Sequence, residues 1–562
     1  MKTICILIIS VIAIPNLLFG QGKESFKWEK QIDSMVYSQI GKSAPGGVVG
    51  VIKDGKIVFT KAYGFANLDY KIENSVKTKF NLASVSKQLT AYACLLLAKD
   101  GNLDLDADIH TYLPKFPDLG EKITTRQLLH HTSGLTNVEI LQLFSGSMDK
   151  AWGLNDEIGM IQKFKKLNFK PNEEYFYSNT GYSMAAKIVE KISGKSFADF
   201  LSQNIFMPLN MKNSVLYDSY GKTIENKACG YAKNDSVYVQ KNNITGYIIG
   251  STNLYTTITD MMLWDQFLLN PTNAYKELIS KIWNPVDTLN NGDTIKYTYG
   301  FENWKYKGLK VSDHSGYTPG FVSRNMIFPE LNFAVVMLFN TDAANNWVIP
   351  TQIIDWVLAD KLYEEKKKEH VEKAVDSKLF SIYVGAYKLS DGMTLSFESI
   401  KDTLWLVIPN APKFRMVPES ETEFFIKEFD AQCTFVKEED GKVNKIIWHQ
   451  SGQNPEAIRD VGGKKLTVQE LALYAGDYYQ PVISAVYQIR IENDQLILTL
   501  PAVFKSFMHI GPDVNLKYCE DENFYIEGLG MVQFLKDSKK RITGLSFKDV
   551  GRQRNIEFLK AN

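Results

Sequence analysis

The sequence predicts an α/β domain, one antiparallel sheet with flanking helices plus an all-helical lobe, followed by two C-terminal antiparallel β-barrel-like domains. Three observations carry this. Strand patterns bracket the first part of the chain, at 46–67 and 298–340, with helical periodicity between them from Ser84 to about 210. After 375 the texture changes to short alternating strands and turns. That last section also repeats itself: "LFSIYVGAYKL" and "LALYAGDYYQP" share a Tyr-x-Gly-x-Tyr core, Tyr383/Gly385/Tyr387 against Tyr474/Gly476/Tyr478.

The chain has 562 residues, 44% hydrophobic and 23% charged, so it can bury sizeable cores. At about 100–200 residues per domain it should hold two to four of them. Lys+Arg and Asp+Glu balance at 64 each, so no overall basic field exists to recruit nucleic acid.

The N-terminus, "MKTICILIISVIAIPNLLFGQGKES", has one early lysine, then an apolar run from Ile4 to Phe19 broken by Pro15. Small Gly20 precedes the polar residues. A run this short with these flanks reads as an export signal, 1–20, removed near Gly20, with no stable membrane insertion afterwards. A periplasmic or secreted protein follows. Once Cys5 leaves with that segment, Cys94, Cys229, Cys433 and Cys519 remain, scattered and without C-x-x-C spacing. Zinc and redox motifs are therefore absent.

Residues 24–40 read as an amphipathic helix. "GGVVGVIKDGKIVFTKAYGFAN" follows as a hairpin, its Asp54-Gly55 turn set between alternating apolar runs. In "TTRQLLHHTSGL", Thr124 and Gln127 form a capping box, and "NTGYSMAAKIVEKISG" runs from a polar cap to Gly194 as its stop. "HSGYTPGFVSRNMIFPELNFAVVMLFNT" gives two apolar strands around a Pro329-to-Asn332 turn, and a helix over about 343–362 closes the domain. Because strands lie at both ends and helices between, one antiparallel sheet drawn from both ends is the economical solution. The run 363–375, "YEEKKKEHVEKAV", reads as solvated charged helix or linker. The repeated C-terminal units, with segments such as "TLWLVIP" and "QLILTLP", suit closed barrels, since closure removes exposed sheet edges.

The chemistry begins at "FNLASVSKQL", where Ser84 and Ser86 are followed by Lys87. A cation in a first helical turn opposes the helix dipole by roughly 0.3–1 kcal/mol. Residues three apart share a helix face, so Ser84 and Lys87 can touch while Ser86 points away. A serine hydroxyl beside a desolvated amine is a nucleophile beside a proton acceptor.

Ser-Val-Ser-Lys fits the S-x-x-K motif. Tyr177-Ser178-Asn179 resembles a Y-x-N box and His314-Ser315-Gly316 an H-x-G variant of a K-T-G box. These three ordered boxes, with the flanking "LLHHTSGL" and "TTITDMMLWDQFLL", resemble the serine β-lactamase and penicillin-binding-protein family, including class C β-lactamases, D-aminopeptidases and esterases, over about 24–362. The resemblance implies a β-lactamase-like serine hydrolase domain, 21–365; the repeated β-barrel-like units then span 376–463 and 466–562.

It further implies Ser84 as acylated nucleophile, Lys87 as the amine assisting proton transfer and Tyr177 as second acid/base. The backbone N–H groups of Ser84 and Tyr317 would form the oxyanion hole, and Asn179, His314, Ser315 and Gly316 would contact substrate. No cofactor or metal is implied; no histidine falls in H-E-x-x-H or H-x-H spacing, and there is no G-x-S-x-G elbow. His130 and His131 read as structural.

Histidine in the third box, mostly neutral at pH 7, disfavours substrates with a carboxylate near the reacting carbonyl. The expectation is a hydrolase of small peptides containing D-amino acids, of D-aminopeptidase or carboxypeptidase type. An esterase or weak β-lactamase of the same fold, and a non-catalytic receptor for β-lactams or wall peptides, are the alternatives.

Overall fold

The computed structural model describes residues 26–561 apart from short internal stretches, the longest being 242–247, 364–369, 408–412 and 461–465. The segment read as an export signal lies outside the described residues. Among the described residues no helix is long and apolar enough to cross a membrane.

A seven-stranded antiparallel sheet is drawn from both ends of the first domain, in the order Tyr297–Thr298, Phe301–Tyr306, Leu309–Thr318, Phe321–Phe328, Phe333–Phe339, Gly47–Lys53, Lys56–Tyr63. The N-terminal hairpin turns at Asp54 and Gly55, both at positive φ, as a two-residue loop of this kind requires. The first strand alternates between two cores. Val49 and Val51 pack with the helices Glu29–Ile40 and Val348–Val357 on one face, and Val48 and Ile52 join the helical lobe on the other.

In that lobe the helix Ser86–Lys99 is buried on nearly all sides and packs against Asn179–Ser193. Thr124 and Gln127 close the capping box, and Gly194 ends its helix in the left-handed conformation. The closing helix, Val348–Val357, is shorter at both ends than its apolar pattern suggests; at its start the Asn345 side chain accepts from the N–H groups of Trp347 and Val348.

Two closed eight-stranded antiparallel barrels follow, Gly385–Leu389 to Glu456–Asp460 and Gly476–Gln480 to Gln553–Lys560. The repeated motif performs the same task in both. Tyr387 Oη donates to the Tyr383 carbonyl at 3.1 Å and Tyr478 Oη to the Tyr474 carbonyl at 2.6 Å, each tying its first strand to the short helical turn before it.

Of the connecting charged run, 364–369 lies outside the described residues. The remainder is not helical: it lies along the first barrel, with His370 Nδ1 2.9 Å from Glu419 and Lys373 N–H donating to the Pro418 carbonyl.

The two barrels differ in what they touch. The first has its own core, around Phe397, Phe435 and Trp448. The second shares one continuous apolar core with the helical lobe. Phe144, fully buried at the end of the helix Val138–Phe144, contacts the rings of Tyr487, Phe504, Phe547 and Phe558, and its carbonyl accepts from Tyr487 Oη at 2.9 Å. None of Cys94, Cys229, Cys433 and Cys519 is in a disulfide.

Candidate active site

Ser84 does not open the α-helix itself. It sits in a 3-10 turn, Ala83–Val85, with the α-helix starting at Ser86. Ala83, immediately before it, is at φ 47°, a left-handed conformation that costs a residue with a Cβ about a kcal/mol or more. That kink projects Ser84 into a cleft of about 470 Å³ while Ser86 stays buried, its Oγ accepting from the Leu254 N–H.

Lys87 is wholly buried. Its Nζ lies 2.8 Å from Asn179 Oδ1, 2.9 Å from the Ser251 carbonyl and 3.1 Å from Ser84 Oγ. Burial holds its pKa well below the ordinary lysine value; the Arg552 charge adds to this and Glu139 opposes it. A neutral amine has two N–H donors and one lone pair. Asn179 and Ser251 take the donors, leaving the lone pair facing the Ser84 hydroxyl. In that neutral form, which burial favours, the amine can accept the serine's proton. The dominant cause is burial rather than the helix dipole.

Tyr177 lies in the next box, its hydroxyl buried and, among the described residues, without a hydrogen-bond partner. Burial raises its pKa above the usual phenol value, against the opposing influence of Arg552 and of the Ser84 side chain it faces. The phenol keeps its proton beside an amine whose charged form burial disfavours, 4.9 Å from its ring centroid to Lys87 Nζ. His131 holds this box in place. Its carbonyl accepts from Phe176 N–H, its Nδ1 from Ser178 N–H at 3.1 Å, and its ring lies 4.1 Å from that of Tyr177. Asn179 opens the next helix and is doubly engaged, its Oδ1 near Lys87 and its Nδ2 donating to Glu139 Oε2 at 2.6 Å.

The third box lies on the strand Leu309–Thr318. Gly316 is there for space: a Cβ at this position would come within 2.4 Å of the Leu82 carbonyl and 2.2 Å of Ser323 Oγ, which itself donates to that carbonyl. Glycine thus lets this strand press against the backbone just ahead of Ser84. His314 is buried, with Nδ1 2.5 Å from the Ser315 carbonyl and Nε2 2.8 Å from Tyr297 Oη. The carbonyl fixes the proton on Nδ1, so Nε2 accepts from the tyrosine. Burial above all lowers its pKa to about 3, and it is neutral. With both nitrogens occupied, its ring borders the cleft without offering substrate a charge. Ser315 and the exposed Tyr317 side chain line the cleft beside it.

Three neighbours carry no local sequence signal: the Ser251 carbonyl, Glu139, and Arg552 from the second barrel, all of which line the same cleft. Among the described residues no cluster of three or more His, Cys, Asp or Glu could hold a metal ion.

Glu157, also on the cleft wall, is buried, and desolvation raises its pKa to about 8. The folded protein therefore binds a proton here that the unfolded chain releases above its usual value near 4.5. Stability contributed by this group is complete below pH 4.5 and declines until about pH 8. Glu157→Gln, neutral at every pH, is expected to flatten the fall in melting temperature across that window; an unchanged slope would show that Glu157 is not protonated in the fold.

Residues 32–348 match the family described as Beta-lactamase, and residues 369–461 match one described as Domain of unknown function (DUF3471). Penicillin-binding protein 4* of Bacillus subtilis (strain 168) is 30% identical over 433 residues, covering 74% of this chain and 94% of that protein. Protein flp of Staphylococcus aureus (strain MRSA252) is 29% identical over 322 residues, 56% of this chain and 63% of its own length. Two solved structures share the fold. The octameric penicillin-binding protein homologue from Pyrococcus abyssi has a TM-score of 0.53 at 19% identity, covering 84% of this chain and 98% of that one. D-amino acid amidase from Ochrobactrum anthropi SV3 has a TM-score of 0.51 at 20% identity, covering 59% and 99%. The match from residue 32 to 348, enclosing all three boxes and the sheet and lobe that carry them, shows that this chain belongs to the Beta-lactamase family of serine hydrolases.

Proposed function

We propose that this protein hydrolyses amide bonds in peptides containing D-amino acids through an acyl-enzyme on Ser84. The observation that carries this is the buried Lys87 amine, its Nζ 2.8 Å from Asn179 Oδ1, 2.9 Å from the Ser251 carbonyl and 3.1 Å from Ser84 Oγ. In this reading Lys87 takes the serine proton as Oγ attacks the carbonyl carbon. The backbone N–H groups of Ser84 and Tyr317 stabilise the oxyanion. Tyr177, a phenol poised over the same centre, gives a proton to the departing nitrogen. Water then attacks the ester with the same two groups exchanging roles. The preference for D-residues draws on relatives named penicillin-binding protein and D-amino acid amidase. The export signal at 1–20 sets the work outside the cytoplasm.

Intact-protein mass spectrometry tests this with D-peptide amides, esters and β-lactams. A transient adduct mapped to Ser84 and repeated product release are expected, with neither in Ser84→Ala. A single stoichiometric adduct that never turns over would make the protein a receptor instead, and adducts persisting in Ser84→Ala would remove the nucleophile.

A further inference from the structure

Arg552 differs from every other arginine in the chain: among the described residues its side chain makes no ion pair and no hydrogen bond. The others are engaged, for instance Arg324 with Asp313, Arg126 with Asp106 and Arg459 with the Ile382 and Val384 carbonyls. Among the described residues its guanidinium sits over the Tyr177 ring, whose centroid is 4.3 Å from the guanidinium carbon.

The position is built rather than incidental. Arg552 is the second residue of a two-residue hairpin loop, Gly551–Arg552, between the last two strands of the second barrel, where Val550 pairs with Gln553. Gly551, at φ 61°, meets the first central position of such a turn, where a Cβ is strained. The residues just beyond the tip are clamped to the helical lobe. Gln553 Oε1 accepts from Asn137 N–H at 2.8 Å, Arg554 N–H donates to Asn168 Oδ1 at 3.0 Å, and Arg554 Nη1 donates to Glu174 at 2.8 Å. A separate domain thus delivers a free, planar cation with five N–H donors to the rim of the cleft that holds Ser84.

We propose that Arg552 binds a carboxylate on the leaving-group side of the substrate, making the second barrel part of the specificity site. This rests on the reading of Ser84 as nucleophile and Tyr177 as proton donor. A group stacked on Tyr177 then lies next to the departing nitrogen, and the α-carboxylate of a released amino acid is separated from that nitrogen by a single carbon. Guanidinium suits such a group because its paired N–H donors match both carboxylate oxygens. His314 cannot serve, being neutral with both ring nitrogens occupied.

The test is a ratio. For a D-alanyl dipeptide with a free C-terminal carboxylate and the same dipeptide as its C-terminal amide, the acid-to-amide ratio of kcat/KM is expected to fall roughly 10- to 100-fold in Arg552→Gln and to recover partly in Arg552→Lys. An unchanged ratio overturns the proposal, whatever happens to the rate common to both substrates. Phenylboronic and 3-carboxyphenylboronic acid, which add reversibly to a serine hydroxyl, give a second measurement on the unaltered protein. The carboxylate form is expected to bind tighter and to lose that advantage in high salt; equal, salt-independent inhibition counts against Arg552. If neither dipeptide is cleaved but the boronates still discriminate, the D-peptide reading fails and the carboxylate site stands. Cleavage of both dipeptides with an unmoved ratio is the reverse.

Discussion

Lys87→Met is expected to slow acylation by roughly 10²- to 10⁴-fold, the range typical of losing a positioned general base. Methionine fills nearly the same buried volume, so the helix Ser86–Lys99 should keep its packing. The Asn179 Oδ1 and Ser251 carbonyl that now face Nζ would lose their donor. The sign of the pH dependence follows from the direction of the shift. Because burial lowers the lysine pKa, kcat/KM in the unaltered protein should rise with pH through a limb well below the ordinary lysine value. It should then stay level into the alkaline range, since the Tyr177 phenol holds its proton above its usual value. In Lys87→Met the acid limb should vanish along with the rate. A pH–rate profile with the limb intact, or a rate close to that of the parent, would assign the proton transfer to another group.

Phe144→Ala is expected to destabilise the protein by about 3–5 kcal/mol, the usual cost of emptying a buried aromatic site. The ring is fully buried and touches four aromatic rings of the second barrel, so the cavity would open at the seam between lobe and barrel. Loosening that seam also loosens the hairpin that carries Arg552. The change should therefore appear twice, as a lower denaturation midpoint and as a smaller preference for carboxylate-bearing substrates. Phe435→Ala, in the separate core of the first barrel, should lower stability without moving that preference. Equal effects of the two substitutions on substrate preference would contradict the unequal docking of the barrels.

Much of the fold was legible because its signals are local. Thr124 with Gln127, Gly194, and Asp54-Gly55 each specify a cap or turn through neighbours within four residues. The repeated Tyr-x-Gly-x-Tyr core likewise marks a bond between residues four apart. The departures are also local: Ala83 takes a left-handed conformation that displaces the α-helix start to Ser86, and Asn345 caps a helix later than its apolar pattern begins.

The same division runs through the site. By itself the sequence determined the reacting pair and its surroundings in kind: Ser84 and Lys87 share a face because they are three residues apart, and the Tyr177 and His314 boxes stand in an order matching a known family. Only the tertiary structure decided the charges those residues work among. It buried Lys87 and so lowered the amine's pKa, turned Asn179 and the Ser251 carbonyl onto its donors, and made His314 a neutral strut between Tyr297 and Ser315. It also supplied the missing cation from Arg552, hundreds of residues away in a barrel that the sequence presents as equivalent to its neighbour. The physical reason is one of range. Caps, turns and helix faces are set by steric and hydrogen-bonding rules over a few residues, whereas desolvation and the field at a buried amine depend on everything packed around it.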